Sequence, residues 1–255
     1  MALLETHCFS NTLGMNISFM AILPQNAGTG QIGMGGSPQA GPHPTLYLFH
    51  GLSDDHTIWT RRTSLERYVS ERGLAVIMPN VHRSFYTNML KGGRYFDFIA
   101  DELPELARNF FHLSTAREDN HVAGLSMGGY GAFKLGMSRP EMFATASSLS
   151  GVLDVANMDR WNKNDSEKDT IFGRRESVVG SKNDLFHLLD TCAQPRPRLL
   201  QICGTEDFLY EDNLKFHQAV KNKEWSHTYY EEGGGHSWDF WDRNIQRVLD
   251  WIERD

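Results

Sequence analysis

Short apolar runs alternate with helix-patterned segments along most of this 255-residue chain, and this alternation constrains the fold more than any other feature. Short runs bounded by turn residues are typical of strands buried on both faces of a sheet. We predict strands at 45–50, 74–80, 122–125, 143–150, 198–203 and 227–231. We predict helices at 57–71, 96–111, 129–138, 213–221 and 238–253, with a kink or a late start at Pro104. Strands that alternate with helices predict an α/β fold, with a mostly parallel sheet and helices on both faces.

Four further segments complete the organisation of the chain. Residues 3–10 and 16–23 come before the first strand-helix unit, and we predict that they form antiparallel edge strands of the same sheet. Residues 26–44 are rich in glycine and proline, which predicts a mobile surface loop. Residues 152–195 are polar and weakly periodic, and they either cap the site or pack as ordinary surface. We predict one domain over residues 1–255.

Ser126 lies between Gly124 and Gly128, where an apolar run gives way to a helical segment. A serine on such a sharp turn holds a strained backbone, and its neighbours two positions away must be nearly free of side chain for strand and helix to approach. The turn also directs amides of the new helix toward the serine oxygen. The pattern predicts a nucleophile elbow rather than an ordinary glycine-rich turn.

A nucleophilic serine needs a base and a group that orients the base, in the chain order serine, acid, histidine. The apolar run 199–203 is followed by a turn that contains Glu206 and Asp207, and we predict Asp207 as the acid. Glu206 is the neighbouring alternative. Asp212 is a weaker one, because it precedes a helix that it is equally suited to cap. His236 follows three glycines after the last predicted strand, and we predict that it is the base.

The oxyanion formed during acyl transfer needs backbone donors on two sides. We predict the amide of Leu52, which follows a close turn at Gly51, and the amide of Met127, which follows the predicted nucleophile. Aromatic residues suit either a substrate pocket or the core. The candidates that carry these two alternatives are Trp59, Tyr86 and Trp238.

Composition narrows the classes of partner. The formal net charge is -7 and Lys and Arg form no run, which disfavours nucleic acid or an anionic membrane and favours a small neutral substrate. No apolar stretch approaches the length of a membrane span, and the N-terminus resembles no export signal. Three widely spaced cysteines suit reduced thiols, so we expect a cytoplasmic protein.

The sequence predicts no metal and no organic cofactor. His50 and His56 flank Asp54 and Asp55, but an oxygen-rich loop near a strand end is more often a solvated turn than a metal site. The glycine-rich segment 26–44 leads through prolines into a strand, whereas a phosphate-binding loop runs from a strand into a helix.

These motifs together resemble the bacterial tributyrin-esterase branch of the esterase D superfamily, which also includes S-formylglutathione hydrolases. The resemblance runs through LYLFHGLS at 46–53, VIMPN at 76–80, DELP at 101–104, AGLSMGGYG at 123–131 and GTEDFLY at 204–210. It implies an α/β-hydrolase fold and a carboxylesterase that hydrolyses short-chain acyl esters through an acyl-serine intermediate. The implied triad is Ser126, Asp207 and His236, with the Leu52 and Met127 amides as the oxyanion hole. Members of this family also often form homo-oligomers, either dimers or tetramers.

Two alternatives to this interpretation are kept. A thioesterase that acts on S-acyl glutathione would use the same triad and differ in the groups that recognise the peptide. A non-catalytic binding protein on the same fold is the second alternative. The complete set of Ser126, Asp207 and His236 disfavours it.

Overall fold

An eight-stranded sheet forms the centre of the molecule. In the computed structural model, which describes residues 1–25, 41–160 and 165–253, the strands are β1 (Ala2–Ser10), β2 (Met15–Leu23), β3 (Thr45–Phe49), β4 (Ala75–Pro79), β5 (Asn120–Leu125), β6 (Thr145–Leu149), β7 (Arg198–Gly204) and β8 (His227–Glu232). Their spatial order is β1-β2-β4-β3-β5-β6-β7-β8. The β1-β2 and β2-β4 pairs are antiparallel and the other pairs are parallel. The predicted mostly parallel sheet with antiparallel N-terminal strands is confirmed.

Helices cover both faces of this sheet. They are α1 (Ile58–Arg62), α2 (Leu65–Val69), α3 (Tyr95–Asp97), α4 (Leu103–Phe110), α5 (Met127–Ser138), α6 (Asp165–Ile171), α7 (Arg175–Val178), α8 (Leu185–Thr191), α9 (Tyr210–Lys221) and α10 (Trp238–Ile252). One buried cluster includes α4, α5, α8 and α9, and the other includes α1, α2 and α10. Side chains of β3 alternate between the clusters, since Tyr47 and Phe49 point to the first and Leu46 and Leu48 to the second. This period of two is the geometry of a strand buried on both faces.

Two predicted helices differ from those in the structure. The segment 57–71 forms two short helices, because Thr63 adopts an extended conformation (φ -134°, ψ 170°) at the end of α1. The segment 96–111 contains a π-helix at Phe98–Glu102 before α4 begins. The helical conformation continues from this π-helix into α4, and the Leu103 amide still donates to the Phe98 carbonyl. The wider π-helical turn lies directly before Pro104, which cannot donate a backbone hydrogen bond. The sequence located the irregularity at the proline, but it takes the form of a π-helix rather than a late start.

Residues 152–195 contain regular structure that their weak periodicity did not predict. A 3₁₀ helix at Val155–Arg160 is followed by α6, α7 and α8. The hydroxyl of Tyr130 on α5 donates to the carbonyl of Asn183 (2.8 Å), and the ring of Phe172 lies 5.4 Å from that of Phe85. The described part of the segment therefore packs beside α5.

The predicted loop at 26–44 falls mostly on residues 26–40, which lie outside the described residues. Residues 41–44 lead into β3, and His43 forms an isolated parallel bridge with Leu113. Across the described ranges, no helix is long and apolar enough to cross a membrane.

Candidate active site

Ser126 occupies the sharp turn between β5 and α5. Its backbone has φ 54° and ψ -119°, a left-handed conformation that side chains disfavour. A Cβ on Gly124 would lie 2.4 Å from the carbonyl carbon of Gly128, and a Cβ on Gly128 would lie 2.6 Å from the Phe49 oxygen. The two glycines are therefore required for strand and helix to approach, as the sequence predicted.

A chain of hydrogen bonds joins Ser126, His236 and Asp207. Ser126 Oγ lies 2.9 Å from His236 Nε2. His236 Nδ1 lies 2.8 Å from Oδ2 and 3.1 Å from Oδ1 of Asp207. Asp207 follows β7 and its side chain is fully buried, whereas His236 follows β8 and is partly exposed. The structure brings together the three residues that the sequence proposed, at the carboxyl ends of three strands.

The two alternative acids have other surroundings. Glu206 is exposed, and it accepts hydrogen bonds from the Thr205 hydroxyl and from the Gly234 amide. Asp212 is buried in the first turn of α9. Since both Nδ1 contacts of His236 go to Asp207, the geometry favours Asp207 over its neighbours.

A pocket of about 190 Å³ opens beside Ser126. Its described lining consists of Gly51, Leu52, Ser53, Asp54, Phe85, Leu125, Ser126, Met127, Val152, Phe208, His236, Trp238 and Trp241. Met127 is the first residue of α5, so its amide has no partner within the helix. The amide of Asp54 donates to the carbonyl of Gly51 (3.2 Å), which closes a turn around Leu52. Both predicted oxyanion donors thus belong to residues of this pocket.

His50 supports the turn that carries Leu52. Its Nδ1 donates to the carbonyl of Gly51 (2.7 Å), and its Nε2 accepts from the amide of Val81 (3.1 Å). Burial lowers the pKa of His50 to about 4, so the imidazole is neutral at physiological pH and these two bonds fix its tautomer. His56 instead contacts Glu5 (3.2 Å). Among the described residues, no cluster of three or more His, Cys, Asp or Glu has the arrangement of a metal site.

The three predicted pocket aromatics divide between pocket and core. Trp238 lines the pocket. Trp59 is buried, and its Nε1 donates to the carbonyl of Phe49 (3.1 Å). Tyr86 is also buried, and its hydroxyl donates to the carbonyl of His50 (2.9 Å). Of the two alternatives left open by the sequence, the geometry favours the core for Trp59 and Tyr86, because their polar atoms bind the backbone beneath the site.

Sequence reasoning missed several residues that line the pocket, among them Asp54, Phe85, Val152, Phe208 and Trp241. Trp241 meets the ring of His236 edge-on at 4.8 Å, and Phe208 lies 4.6 Å from the same ring with 60% of its surface exposed. Two signals were available. Phe208 directly follows Asp207, and Trp241 lies one helical turn after Trp238.

The fold and the arrangement at Ser126 define a serine hydrolase with the α/β-hydrolase fold. More specifically, the chain belongs to the family described as "Putative esterase", whose model matches residues 10–252. It is a serine carboxylic ester hydrolase.

Known relatives agree with this assignment. The fluorophosphonate-binding serine hydrolase FphF of Staphylococcus aureus is 38% identical, with a TM-score of 0.90, over 100% of this chain and 99% of its own. The S-formylglutathione hydrolase FrmB of the same species is 38% identical over 98% of both chains, with a TM-score of 0.86. An acetyl esterase of Caldicellulosiruptor saccharolyticus is 28% identical over 100% of this chain and 99% of its own.

Proposed function

We propose that Ser126 is the nucleophile, His236 the general base and Asp207 the orienting acid of this esterase. The hydrogen-bonded chain from Ser126 Oγ to the Asp207 carboxylate carries the proposal. His236 accepts the serine proton as Oγ bonds to the ester carbonyl carbon, and returns it to the departing alcohol. Water then attacks the acyl-serine with the same base, which releases the acid and regenerates the serine.

The amides of Leu52 and Met127 are proposed as the oxyanion hole. Supporting observations are that both residues line the pocket and that Met127 opens a twelve-residue helix. Amides at a helix N-terminus stabilise negative charge. The neutral His50 holds the Gly51 turn in place from below.

The experiment that tests the assignment combines kinetics with covalent labelling. Ser126→Ala is expected to fold yet to lose on the order of 10⁶ in kcat for p-nitrophenyl acetate, by analogy with other triads. It is also expected to lose labelling by a fluorophosphonate. Ser70→Ala, a serine that bonds the Arg67 carbonyl on the surface, is the control. Labelling that persists in Ser126→Ala would show that another residue is the nucleophile.

Short acyl esters are the proposed substrates, as in the tributyrin-esterase branch that the motifs resemble. The pocket volume of about 190 Å³ supports this size limit, and so does the name of the acetyl esterase relative. We expect kcat/KM to be greatest for acyl chains of roughly two to four carbons and to fall steeply by about eight, because a filled site resists added methylenes. A p-nitrophenyl ester series from acetate to palmitate measures this, and a maximum at decanoate or longer would exclude it.

Thioester hydrolysis is the second candidate. The 38% identity to FrmB, named an S-formylglutathione hydrolase, favours it, and the same Ser126 chemistry would serve a thioester. Hydrolysis of S-formylglutathione with a kcat/KM above that of the best oxygen ester would make thioesters the principal substrates.

A homodimer is the proposed assembly, formed by antiparallel pairing of β1 with β1 of a second copy. β1 is a nine-residue edge strand without proline, and Leu3 and Phe9 are exposed on it. Such an edge offers unpaired backbone groups. Pairing about Thr6 sets Leu3 against Phe9, Leu4 against Cys8 and Glu5 against His7, which matches apolar with apolar and acid with histidine.

We propose a cytoplasmic location and one domain over residues 1–255. The thiols of Cys8, Cys192 and Cys203 are free, which suits a reducing compartment. Segment 152–195 contributes one described residue, Val152, to the pocket lining. This supports packing at the side of the pocket over a cap across it.

A further inference from the structure

We propose that the pocket beside Ser126 selects esters whose alcohol carries a positive charge, and that Asp54 binds this cation. The proposal rests on the esterase function above. The proposed acyl groups of two to four carbons are uncharged, so the cation belongs to the alcohol. Quaternary and primary ammonium groups are the chemical class concerned.

The carboxylate of Asp54 lies close to the proposed nucleophile. Asp54 Oδ2 is 2.9 Å, and Ser126 Cβ 3.8 Å, from the position that a Cβ on Gly51 would occupy. The two side chains therefore flank a single glycine. Asp54 also lines the pocket, at intermediate exposure. A group attached to the ester oxygen is thus within reach of this carboxylate.

Asp54 supplies the pocket with a negative charge that is not paired. Among the described lining residues, it is the only Asp, Glu, Lys or Arg. None of the ion pairs within the described part of the chain includes it. Burial raises the pKa of Asp54, against the opposing effects of the Gly51 backbone, Arg62 and His236. A carboxylate that has lost part of its hydration gains from a cation beside it.

Aromatic rings provide the second half of a cation site. Phe208, Trp238 and Trp241 line the same pocket as Asp54, and the ring of Trp238 lies edge-on to Trp241 at 5.2 Å. Tryptophan and phenylalanine faces attract ammonium groups, most strongly where water is excluded. An acid together with these rings favours a cation over a neutral group of the same shape.

The charge of Asp54 also bears on the reaction itself. Negative charge develops on the carbonyl oxygen during acyl transfer, and a nearby carboxylate opposes it. A cationic alcohol offsets this opposition in the transition state, whereas an anionic alcohol adds to it. The selection should therefore appear in kcat/KM.

A matched pair of substrates tests the proposal. 2-(Trimethylammonio)ethyl acetate and 3,3-dimethylbutyl acetate have the same shape and differ in the charge of one atom. In the wild-type protein we expect the cationic ester to have a kcat/KM roughly fivefold to tenfold higher. Asp54→Asn is expected to reduce this ratio to about one or two, because the charge that favours the cationic ester is removed. Both esters are measured on the same variant, so a change in its basal activity cancels from the ratio.

Asp55→Asn is the matched control. Asp55 is the adjacent carboxylate, accepts hydrogen bonds from the amide and hydroxyl of Thr57 (2.8 and 2.6 Å), and is not among the lining residues. In Asp55→Asn, the ratio of kcat/KM for the cationic ester to kcat/KM for the neutral ester is expected to stay within about twofold of wild type, because the pocket keeps the charge of Asp54. For an anionic ester, 4-acetoxybutanoate, the kcat/KM relative to that of 3,3-dimethylbutyl acetate is expected to rise in Asp54→Asn and not in Asp55→Asn.

The outcomes separate this proposal from the proposed function. A wild-type ratio near one, or an equal fall in both variants, would overturn the cation site while p-nitrophenyl acetate hydrolysis still supports the esterase. Hydrolysis of p-nitrophenyl acetate by the wild type and its loss in Ser126→Ala would support the esterase, whatever the result for Asp54→Asn. A wild type that hydrolyses none of these esters would overturn both.

Discussion

At the scale of the residue, Ser126 combines a strained backbone with a chemical role. Its φ of 54° with ψ of -119° belongs to a region that costs a non-glycine residue about 1 to 3 kcal/mol. Surrounding hydrogen bonds hold it there: the Ser126 amide donates to Leu149 (2.9 Å), and the Val152 amide donates to the Ser126 carbonyl (3.2 Å). The sheet thus stabilises a turn that the serine itself disfavours.

Ser126→Gly is expected to stabilise the fold while it abolishes catalysis. Glycine adopts this conformation without steric cost, so the free energy of unfolding is expected to rise by about 1 kcal/mol. Ser126→Ala keeps the Cβ and serves as the control, with no comparable gain. Urea unfolding of the three proteins measures the difference. Equal stability of the glycine and alanine variants would show that the turn is not strained.

Asp207→Asn is expected to damage kcat far more than Glu206→Gln. An asparagine favours the wrong tautomer of His236, an effect that costs about 10⁴ in kcat in the serine-protease example of this triad. Glu206 is exposed and bonds Thr205 and Gly234, so its amide variant is expected to stay within a few-fold of wild type. Steady-state kinetics on p-nitrophenyl acetate compares them, and the reverse order would make Glu206 the acid.

Sequence predicted the residues at this scale where a local pattern fixes them. Ser126 is set by its flanking glycines, and Asp207 and His236 by the turns after two strands. Tryptophan and tyrosine carry no such signal, because the polar atoms of Trp59 and Tyr86 are satisfied by backbone carbonyls at the end of β3 that only the fold brings near. Asp54 was considered as part of a metal site. Its place in the pocket follows from the Gly51 turn, which sequence does not orient.

At the scale of the element, helix α5 carries a buried lysine behind the nucleophile. Lys134 donates to the Tyr86 carbonyl (3.3 Å), to Asn183 Oδ1 (2.7 Å) and to the Thr87 hydroxyl. Its Nζ also lies 4.8 Å from the ring centre of Phe96. Burial lowers its pKa to about 7 despite the charge of Asp97. The lysine thus joins α5 to the chain before α3 and to segment 152–195.

Stability is expected to rise with pH because of Lys134. Between about pH 7 and the ordinary lysine value near 10.5, the unfolded chain holds this proton and the folded protein does not. The free energy of unfolding then rises by up to about 1.4 kcal/mol per pH unit. Below pH 7 both states are protonated, so the contribution is constant there.

Lys134→Met isolates this contribution. Between pH 7 and 9, the free energy of unfolding is expected to rise more in the wild type than in the variant. Urea denaturation measures both. Arg139→Met, at the C-terminal end of the same helix, where Arg139 pairs with Asp101 (3.2 Å), controls for loss of a cation. A difference that is independent of pH would show that Lys134 keeps its proton throughout.

The strands and helices could be predicted where their apolar residues are regularly spaced. The central strands β3 to β7 follow from apolar runs, because they are buried on both faces of the sheet. The edge strands β1 and β8 have no fully buried face, and their apolar signal is weaker. The helices of segment 152–195 could not be predicted in this way, because α6 and α7 are short and largely polar. Their position depends on contacts such as Tyr130 with Asn183 rather than on a continuous apolar stripe.

At the scale of the whole molecule, the two edges of the sheet differ in chemistry. β8 carries adjacent glutamates, Glu231 and Glu232, and like charges on an edge oppose pairing with another strand. β1 carries Leu3 and Phe9 exposed on its outer positions. The proposed dimer therefore forms through β1, and β8 takes no part in it.

Glu5→Lys is expected to weaken the proposed dimer by about tenfold in Kd, because both symmetry-related pairs with His7 lose their attraction. Exchanging the two residues, Glu5→Lys with His7→Glu, is expected to restore association. Glu231→Lys on β8 is the control and is expected to leave Kd unchanged. Sedimentation velocity measures all four proteins. A monomeric wild type at all concentrations, or no rescue by the exchange, would refute pairing through β1.

The close packing of Gly124 against Gly128 has a consequence for how this family evolves. Because a Cβ at either position meets backbone at 2.4 to 2.6 Å, these glycines are demanded by packing whether or not the serine reacts. A descendant that lost its activity would be free to change Ser126, Asp207 or His236, but it would keep the glycine pair as long as it kept the fold. A sequence search that relies only on these two glycines will therefore find inactive homologues as well as active enzymes. The residues that follow β7 and β8 are the ones that separate the two groups.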